Sequence, residues 1–400
     1  MIILFYLFTI FSINIHSKGV IKFPKEVGKF QNWTNPIHFN CPPIICKAVD
    51  KAIEEIEKHT CLKFKDQRNK LHNQEGIQFI WGNHDKHCGT NHVGYINSTT
   101  PVTVFLGSDC LRIIPKVQSI IHIALGVIPE HRRPDRDKFL IMQDQNIRPS
   151  GKTFYEIINS SQPYLKEVDY DYGVITHANR WEYIHWKDPA FYSTTFKHYY
   201  QHIMGQKEVT TFNDYKILNI MFCTETCTHE ERDKLKCLNN GYTSPKNCNK
   251  CVCPFGYFGR RCQFIEIGKV RDYFRTIECQ PEKLIATIES AKRILYGEKS
   301  CFIEIRSQLK LVHVCLNILK INSFRADVCR SGRSIEVKYR KDKGAMGLCF
   351  CNQHTKPIYI ISEGDSILIH YMGNGPWYRL EFEYEMCMHR YLSNQLPEYQ

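Results

Sequence analysis

Apolar residues recur at Ile45, Val49, Ala52, Ile53 and Ile56, with Asp50, Glu54, Glu55 and Glu57 between them. That spacing predicts an amphipathic helix with one buried face. A second helix is predicted from Pro115 to Ile128, where Val117, Ile120, Ile121, Ala124 and Leu125 are apolar. Pro115 suits a helix start and Pro129 a stop. Toward the C-terminus the period falls to two. In R-L-E-F-E-Y-E-M, Leu380, Phe382, Tyr384 and Met386 alternate with Arg379, Glu381, Glu383 and Glu385. S-I-E-V-K-Y-R and I-L-I-H-Y-M alternate in the same way. Such strands, with glycine-bearing turns between them, predict a β-sandwich. The chain reads as α+β.

Cysteine density divides it further. Residues from about 25 to 223 hold few cysteines, whereas Cys227, Cys237, Cys248, Cys251, Cys253 and Cys262 crowd into a short stretch. A segment that small cannot build a full core, so three disulfides are expected to hold it. A zinc ribbon built on Cys248 and Cys251 is the competing reading. The tail C-V-C-P-F-G-Y-F-G-R-R-C resembles an EGF-like module, placed at 227–263. The strand-rich region, 265–400, is similar to a CUB domain and carries seven cysteines, Cys349 and Cys351 close together.

Four hundred residues suffice for two or three domains. Residues 1–17 read as a secretory signal peptide, apolar from Ile2 to Ile15, with a short membrane anchor as the alternative. No later stretch is long and apolar enough to span a bilayer. Nineteen cysteines agree with an oxidising, extracellular destination. The odd count leaves one thiol unpaired, or pairs it with another molecule. Asn32, Asn97 and Asn159 begin glycosylation acceptor sequences in a secreted chain. The net charge of +12 has no nucleic-acid-binding module beside it. It reads as a solvated surface with some steering of acidic partners.

Between 25 and 226 an ordered series of stretches resembles the astacin family of zinc metalloendopeptidases, in its nematode form with EGF-like and CUB modules. The series runs from Trp33-Thr-Asn-Pro-Ile37 through Thr60-Cys61-Leu-Lys-Phe64 and Asp169-Tyr-Asp-Tyr-Gly173 to Gly205-Gln-Lys-Glu and Cys223. The resemblance implies a two-lobed metzincin-like domain and the disulfides Cys61–Cys223 and Cys88–Cys110. The family signature, H-E-x-x-H-x-x-G-F-x-H-E-x-x-R-x-D-R-D, supplies three histidine zinc ligands and a glutamate base. Residues 119–137 read S-I-I-H-I-A-L-G-V-I-P-E-H-R-R-P-D-R-D. Alignment on Gly126 puts Ser119, Ile123 and Pro129 at the ligand positions and Ile120 at the base. At the methionine turn, Thr176 replaces the methionine and Ala178 the tyrosine.

No catalytic residue, metal ligand or cofactor is therefore expected. His122 stands alone, about 100° around the helix from Ile123, and reads as a structural histidine. Gly126, Glu130, Arg133, Asp135, Arg136 and Asp137 match the family and read as structural, with a solvated charge run as the alternative. The resemblance likens Glu130 to the glutamate that meets a matured N-terminus, and leaves no room for an inhibitory propeptide. These readings lead to a secreted pseudoprotease that binds polypeptides or extracellular partners. An active enzyme with non-standard ligands and a purely adhesive EGF/CUB protein are the alternatives.

Overall fold

The computed structural model describes residues 33–67, 70–82, 88–185, 187–271 and 276–387, with backbone alone for 270–271 and 276–278. The expected signal peptide and Asn32 lie outside them. No described helix is long and apolar enough to cross a membrane.

Five strands open the fold: β1 (Ile37–Asn40), β2 (Phe64–Asp66), β3 (Ile77–Trp81), β4 (Gly89–Thr90) and β5 (Val102–Leu106). They pair in the order β2-β1-β3-β5-β4, with β4 antiparallel to β5 and the other pairs parallel. Helix α1 (Pro43–His59) buries Ile45, Val49, Ala52, Ile53 and Ile56, the stripe its sequence predicts. Cys41–Cys46 staples its start, a bond that the sequence reading did not foresee. Helix α2 (Ile114–Leu125) lies beside α1 in the same core.

α2 ends three residues before the expected Ile128. Gly126 adopts φ +112°, a left-handed conformation that glycine enters without a Cβ penalty. The Gly126 N–H donates to Ile123 O at 3.0 Å and the Val127 N–H to His122 O at 2.9 Å, closing the last turn before Pro129 is reached.

The second lobe, 130–223, is mostly turns and short helices, with one longer helix at Phe212–Phe222. Thr211 and Asp214 cap that helix reciprocally. Cys61–Cys223 ties its end to the first lobe, and Cys88–Cys110 closes the loop before α2.

Three disulfides hold the cysteine-rich segment: Cys227–Cys248, Cys237–Cys251 and Cys253–Cys262. Cys248 and Cys251 thus have separate covalent partners, which removes the zinc-ribbon alternative. The C-terminal region is a two-sheet sandwich with seven strands in one sheet and five in the other. Cys279–Cys301, Cys315–Cys387 and Cys329–Cys351 cross-link it. The odd thiol is Cys349, which is 1% exposed. Of the two outcomes open for the odd thiol, the structure has the unpaired one, because that sulfur does not reach the surface.

The two sheets treat alternation differently. Arg379–Met386 keeps it, with its glutamates half-buried on the outer face. Ile335–Lys338 and Ser366–Gly373 are buried almost throughout, including Glu336, Lys338 and His370. Their second face is covered by the second lobe and the cysteine-rich segment. Asp171 accepts from the Met346 N–H at 3.2 Å, Arg340 donates to Tyr170 O, and Leu368 and Phe302 join the core around Tyr257.

Candidate active-site cleft

A cleft of about 340 Å³ is lined by both lobes. Ser119, Ile120 and Ile123 enter it from α2, and Pro129 from the loop that follows. Thr176 and Ala178 enter it from the turn after Asp171. The six positions that sequence alignment singled out therefore share one cavity.

Their chemistry is poor in metal donors. The buried Ser119 Oγ donates to Ile175 O at 2.8 Å. Ile120 and Ile123 are half-buried hydrocarbon. Pro129 carries a tertiary amide nitrogen with no lone pair to give, and Ala178 ends in a methyl. Thr176 is 4% exposed, and its Oγ1 has no hydrogen-bond partner among the described residues.

Two histidines also line the cleft, and both are committed elsewhere. The His131 Nδ1 accepts from the Ala178 N–H at 3.2 Å while its Nε2 donates to Phe154 O at 3.2 Å. The His177 Nδ1 donates to Ala178 O at 2.9 Å, leaving Nε2 to accept from the Tyr170 hydroxyl at 2.8 Å. A neutral imidazole has one lone pair in the ring plane, and in each ring it is taken. Burial holds both rings neutral, pushing His177 down to about 3 and His131 well below its ordinary value.

Among the described residues, one set of three His, Cys, Asp or Glu side chains converges at ligand spacing: Cys227, Glu231 and Cys248. Its two cysteines are bonded to each other, far along the chain from the cleft. Zinc takes three or four nitrogen, oxygen or thiolate donors. The residues around the cleft do not fit it.

His122 is fully buried, turned away from the cleft with its ring edge toward Tyr215. Neither ring nitrogen has a partner among the described residues, and burial pushes its pKa down to about 3. Gln118, one turn earlier, bridges to the Tyr215 hydroxyl at 3.2 Å.

Behind the cleft, polar groups are densely paired. Arg133 is 1% exposed and donates to Glu130 Oε1 at 3.2 Å, to both Asp135 carboxylate oxygens and to Val168 O. Glu130 Oε1 also accepts from the Asp171 N–H at 2.8 Å. Burial raises the Glu130 pKa to about 7 despite the Arg133 guanidinium beside it. Arg136 pairs with Asp137 at 2.9 Å and donates to His131 O and Tyr155 O. Arg132, with like-charge Arg133 beside it, is 1% exposed and donates to Glu156 O at 2.8 Å. The solvated-run alternative is thereby corrected, since carbonyls and carboxylates replace water around these guanidiniums.

Sequence reasoning missed Lys207, whose ammonium reaches the cleft and donates to Ile175 O and to His177 O, the latter at 2.7 Å. It lies within the quoted stretch Gly205-Gln-Lys-Glu, two residues after a glycine whose positive φ only the structure reveals. Asp214, which caps the helix at Phe212–Phe222, has a second task, accepting from the Ile175 N–H at 3.1 Å. Asn97 and Asn159 are exposed.

The family model of Astacin, a family of peptidases, matches residues 27–223. Zinc metalloproteinase nas-37 of Caenorhabditis elegans is 30% identical over 323 residues, covering 80% of this chain and 38% of that protein. Zinc metalloproteinase dpy-31 of Brugia malayi is 26% identical over 329 residues, covering 81% of this chain and 52% of its own length. The chain thus spans about half or less of these relatives. The solved structure of high choriolytic enzyme 1, a hatching enzyme zinc-protease from Oryzias latipes, aligns at TM-score 0.40 and 16% identity. That alignment covers 47% of this chain and 92% of the enzyme. Through residues 27–223, and with nematode zinc metalloproteinases among its relatives, the chain belongs to the astacin family.

Proposed function

We propose that this is a secreted astacin-fold protein that binds polypeptide in its cleft and does not hydrolyse it. One observation carries the reading: the positions aligned with the family's ligands, base and oxyanion donor lie together in one cleft that lacks the donors for zinc. Without metal-activated water, the roughly 8–23 kcal/mol of barrier lowering typical of enzymes has no source among these side chains. A cleft can still hold an extended peptide, as sheet edges and apolar grooves do elsewhere. Residues 227–263 and 265–400 act in this reading as EGF-like and CUB-like modules that add extracellular contacts. Asn97 and Asn159 would carry glycans.

The test is incubation of the purified secreted protein with casein, with and without EDTA. No cleavage in either arm is the expected result, and EDTA-sensitive cleavage would establish an active enzyme with other ligands.

A purely adhesive protein is best distinguished on the intact chain. Tyr170, Tyr172 and Tyr200 of the second lobe share one core with Ile335, Val337 and Met346 of the sandwich. Deleting 227–400 would expose that core and perturb the cleft it backs.

A further inference from the structure

The last hairpin of the cysteine-rich segment has two unlike faces. Tyr257–Phe258 pairs antiparallel with Phe264–Ile265, Phe258 opposite Phe264 and Tyr257 opposite Ile265. Neighbours along a strand point to opposite sides. Tyr257 and Ile265 turn inward and share a core with Phe302 and Leu368 of the sandwich. Phe258 and Phe264 turn outward, 43% and 49% exposed, with ring centroids 5.5 Å apart. Gly259, at φ +101°, permits this: a Cβ there would meet Phe264 Cδ2 at 2.8 Å. Two exposed aromatic rings, side by side on a hairpin anchored from behind, mark a contact surface.

Charge is segregated around the rings. The acids of this segment lie in its opening helix, His229–Leu235, whereas residues 236–263 hold five lysines and arginines and no aspartate or glutamate. Lys246 is engaged at the end of α1, donating to Glu57 O and Lys58 O. The other four, Lys236, Lys250, Arg260 and Arg261, are exposed. Arg260 Nε donates to Asn249 O at 2.8 Å, next to Lys250, and Arg261 Nε donates to Lys236 O at 3.1 Å. Those bonds draw the four cations into a row beside the rings. They also leave the amino groups of both guanidiniums without a protein partner among the described residues. A polyanion is favoured in that field.

We propose that this face binds an acidic polysaccharide, with sulfate or carboxylate groups on Arg260, Arg261, Lys236 and Lys250 and a sugar ring on Phe258 and Phe264. This rests on the reading of residues 227–263 as an extracellular contact module and is independent of what the cleft holds. Each guanidinium offers a planar pair of N–H donors that matches two oxygens of one anionic group. The negative face of an aromatic ring receives the C–H face of a pyranose, which is apolar and carries slight positive charge. A bilayer is the poorer fit, because insertion carries apolar side chains roughly 5–10 Å into the headgroup boundary. Rings half covered by their own module do not reach that depth, whereas a linear polyanion needs only to lie along the row.

Titration of the intact, oxidised chain with three probes tests it: a heparin oligosaccharide, polyglutamate, and vesicles of equal parts phosphatidylserine and phosphatidylcholine. Heparin is expected to bind tightest. Arg260→Gln/Arg261→Gln should lower its affinity about tenfold and weaken the dependence on salt, since fewer counterions are then released. Lys236→Gln/Lys250→Gln, which breaks no side-chain hydrogen bond of the fold, should act in the same direction to a lesser degree. Phe258→Ala/Phe264→Ala should cost about fivefold with the salt dependence unchanged. Lys310→Gln/Lys356→Gln removes the same charge from exposed positions of the sandwich and should leave affinity within about twofold. A loss there equal to that of the arginine pair assigns binding to net charge and overturns the site. Tighter binding of polyglutamate or of vesicles overturns the polysaccharide and leaves the module a contact surface. Binding of none of the three overturns both.

Discussion

The cleft wall and the loop behind it meet at Pro129 in the chain, yet they are built on opposite terms. Along 119–129 and 176–178 most side chains are hydrocarbon or hydroxyl, with Thr176 Oγ1 and both His122 nitrogens lacking partners among the described residues. Along 130–137 the charged side chains are tied into one another and into backbone carbonyls, and Arg133 alone makes four such hydrogen bonds across Glu130, Asp135 and Val168. The difference separates two tasks that an enzyme signature usually joins. Charged hydrogen bonds behind the cleft tie the 130–137 loop to the rest of the second lobe through Tyr155, Val168 and Asp171, whereas the residues facing the cavity make few such bonds.

The largest test of that contrast is Arg133→Ala. It leaves Glu130 and Asp135 without their cation, and breaking a buried pair in this way costs about 3–5 kcal/mol. Chemical denaturation of the intact, oxidised protein should show that loss, and a loss below about 1 kcal/mol would put the loop outside the fold's stabilising set.

His122→Leu should move stability the other way. The folded-state pKa is depressed to about 3 from an ordinary 6.5, so the unfolded chain binds a proton that the native ring does not. The native state therefore loses stability as pH falls from 6.5 toward 3. At pH 5 that loss is about 2 kcal/mol. The leucine variant removes it, so its melting-temperature gain over the parent should be larger at pH 5 than at pH 7.5. An equal gain at both would place His122 in contact with water.

Ile123→His is the smallest. Ile123 is half-buried at the cleft wall, and the substitution should shift stability by no more than about 1 kcal/mol. A loss as large as that of Arg133→Ala would erase the distinction between the two regions.

Much of this was legible in the chain, and the reasons differ by element. The stripe from Ile45 to Ile56 was readable because a single helix face meets a single core, so periodicity and burial coincide. S-I-E-V-K and I-L-I-H-Y-M were misleading because alternation promises one solvent face. Here Glu336, Lys338 and His370 lie under the second lobe and the cysteine-rich segment. No local pattern reports a neighbour more than a hundred residues away. Arg132 and Arg133 gave the same difficulty, since many of their partners are backbone carbonyls that have no letter in the sequence. The six cleft positions could be found only by alignment, because isoleucine, proline and alanine carry no chemical signal of their own. Lys207 was hidden for the opposite reason, being one of many lysines until Gly205 brings it under the turn.

The central claim, that the cleft lacks a zinc site, is tested most directly by metal analysis of the purified protein. After incubation with zinc and gel filtration, the protein should retain far less than one zinc per chain, and Ser119→Ala should leave that content unchanged. One tightly held zinc per chain would contradict the account.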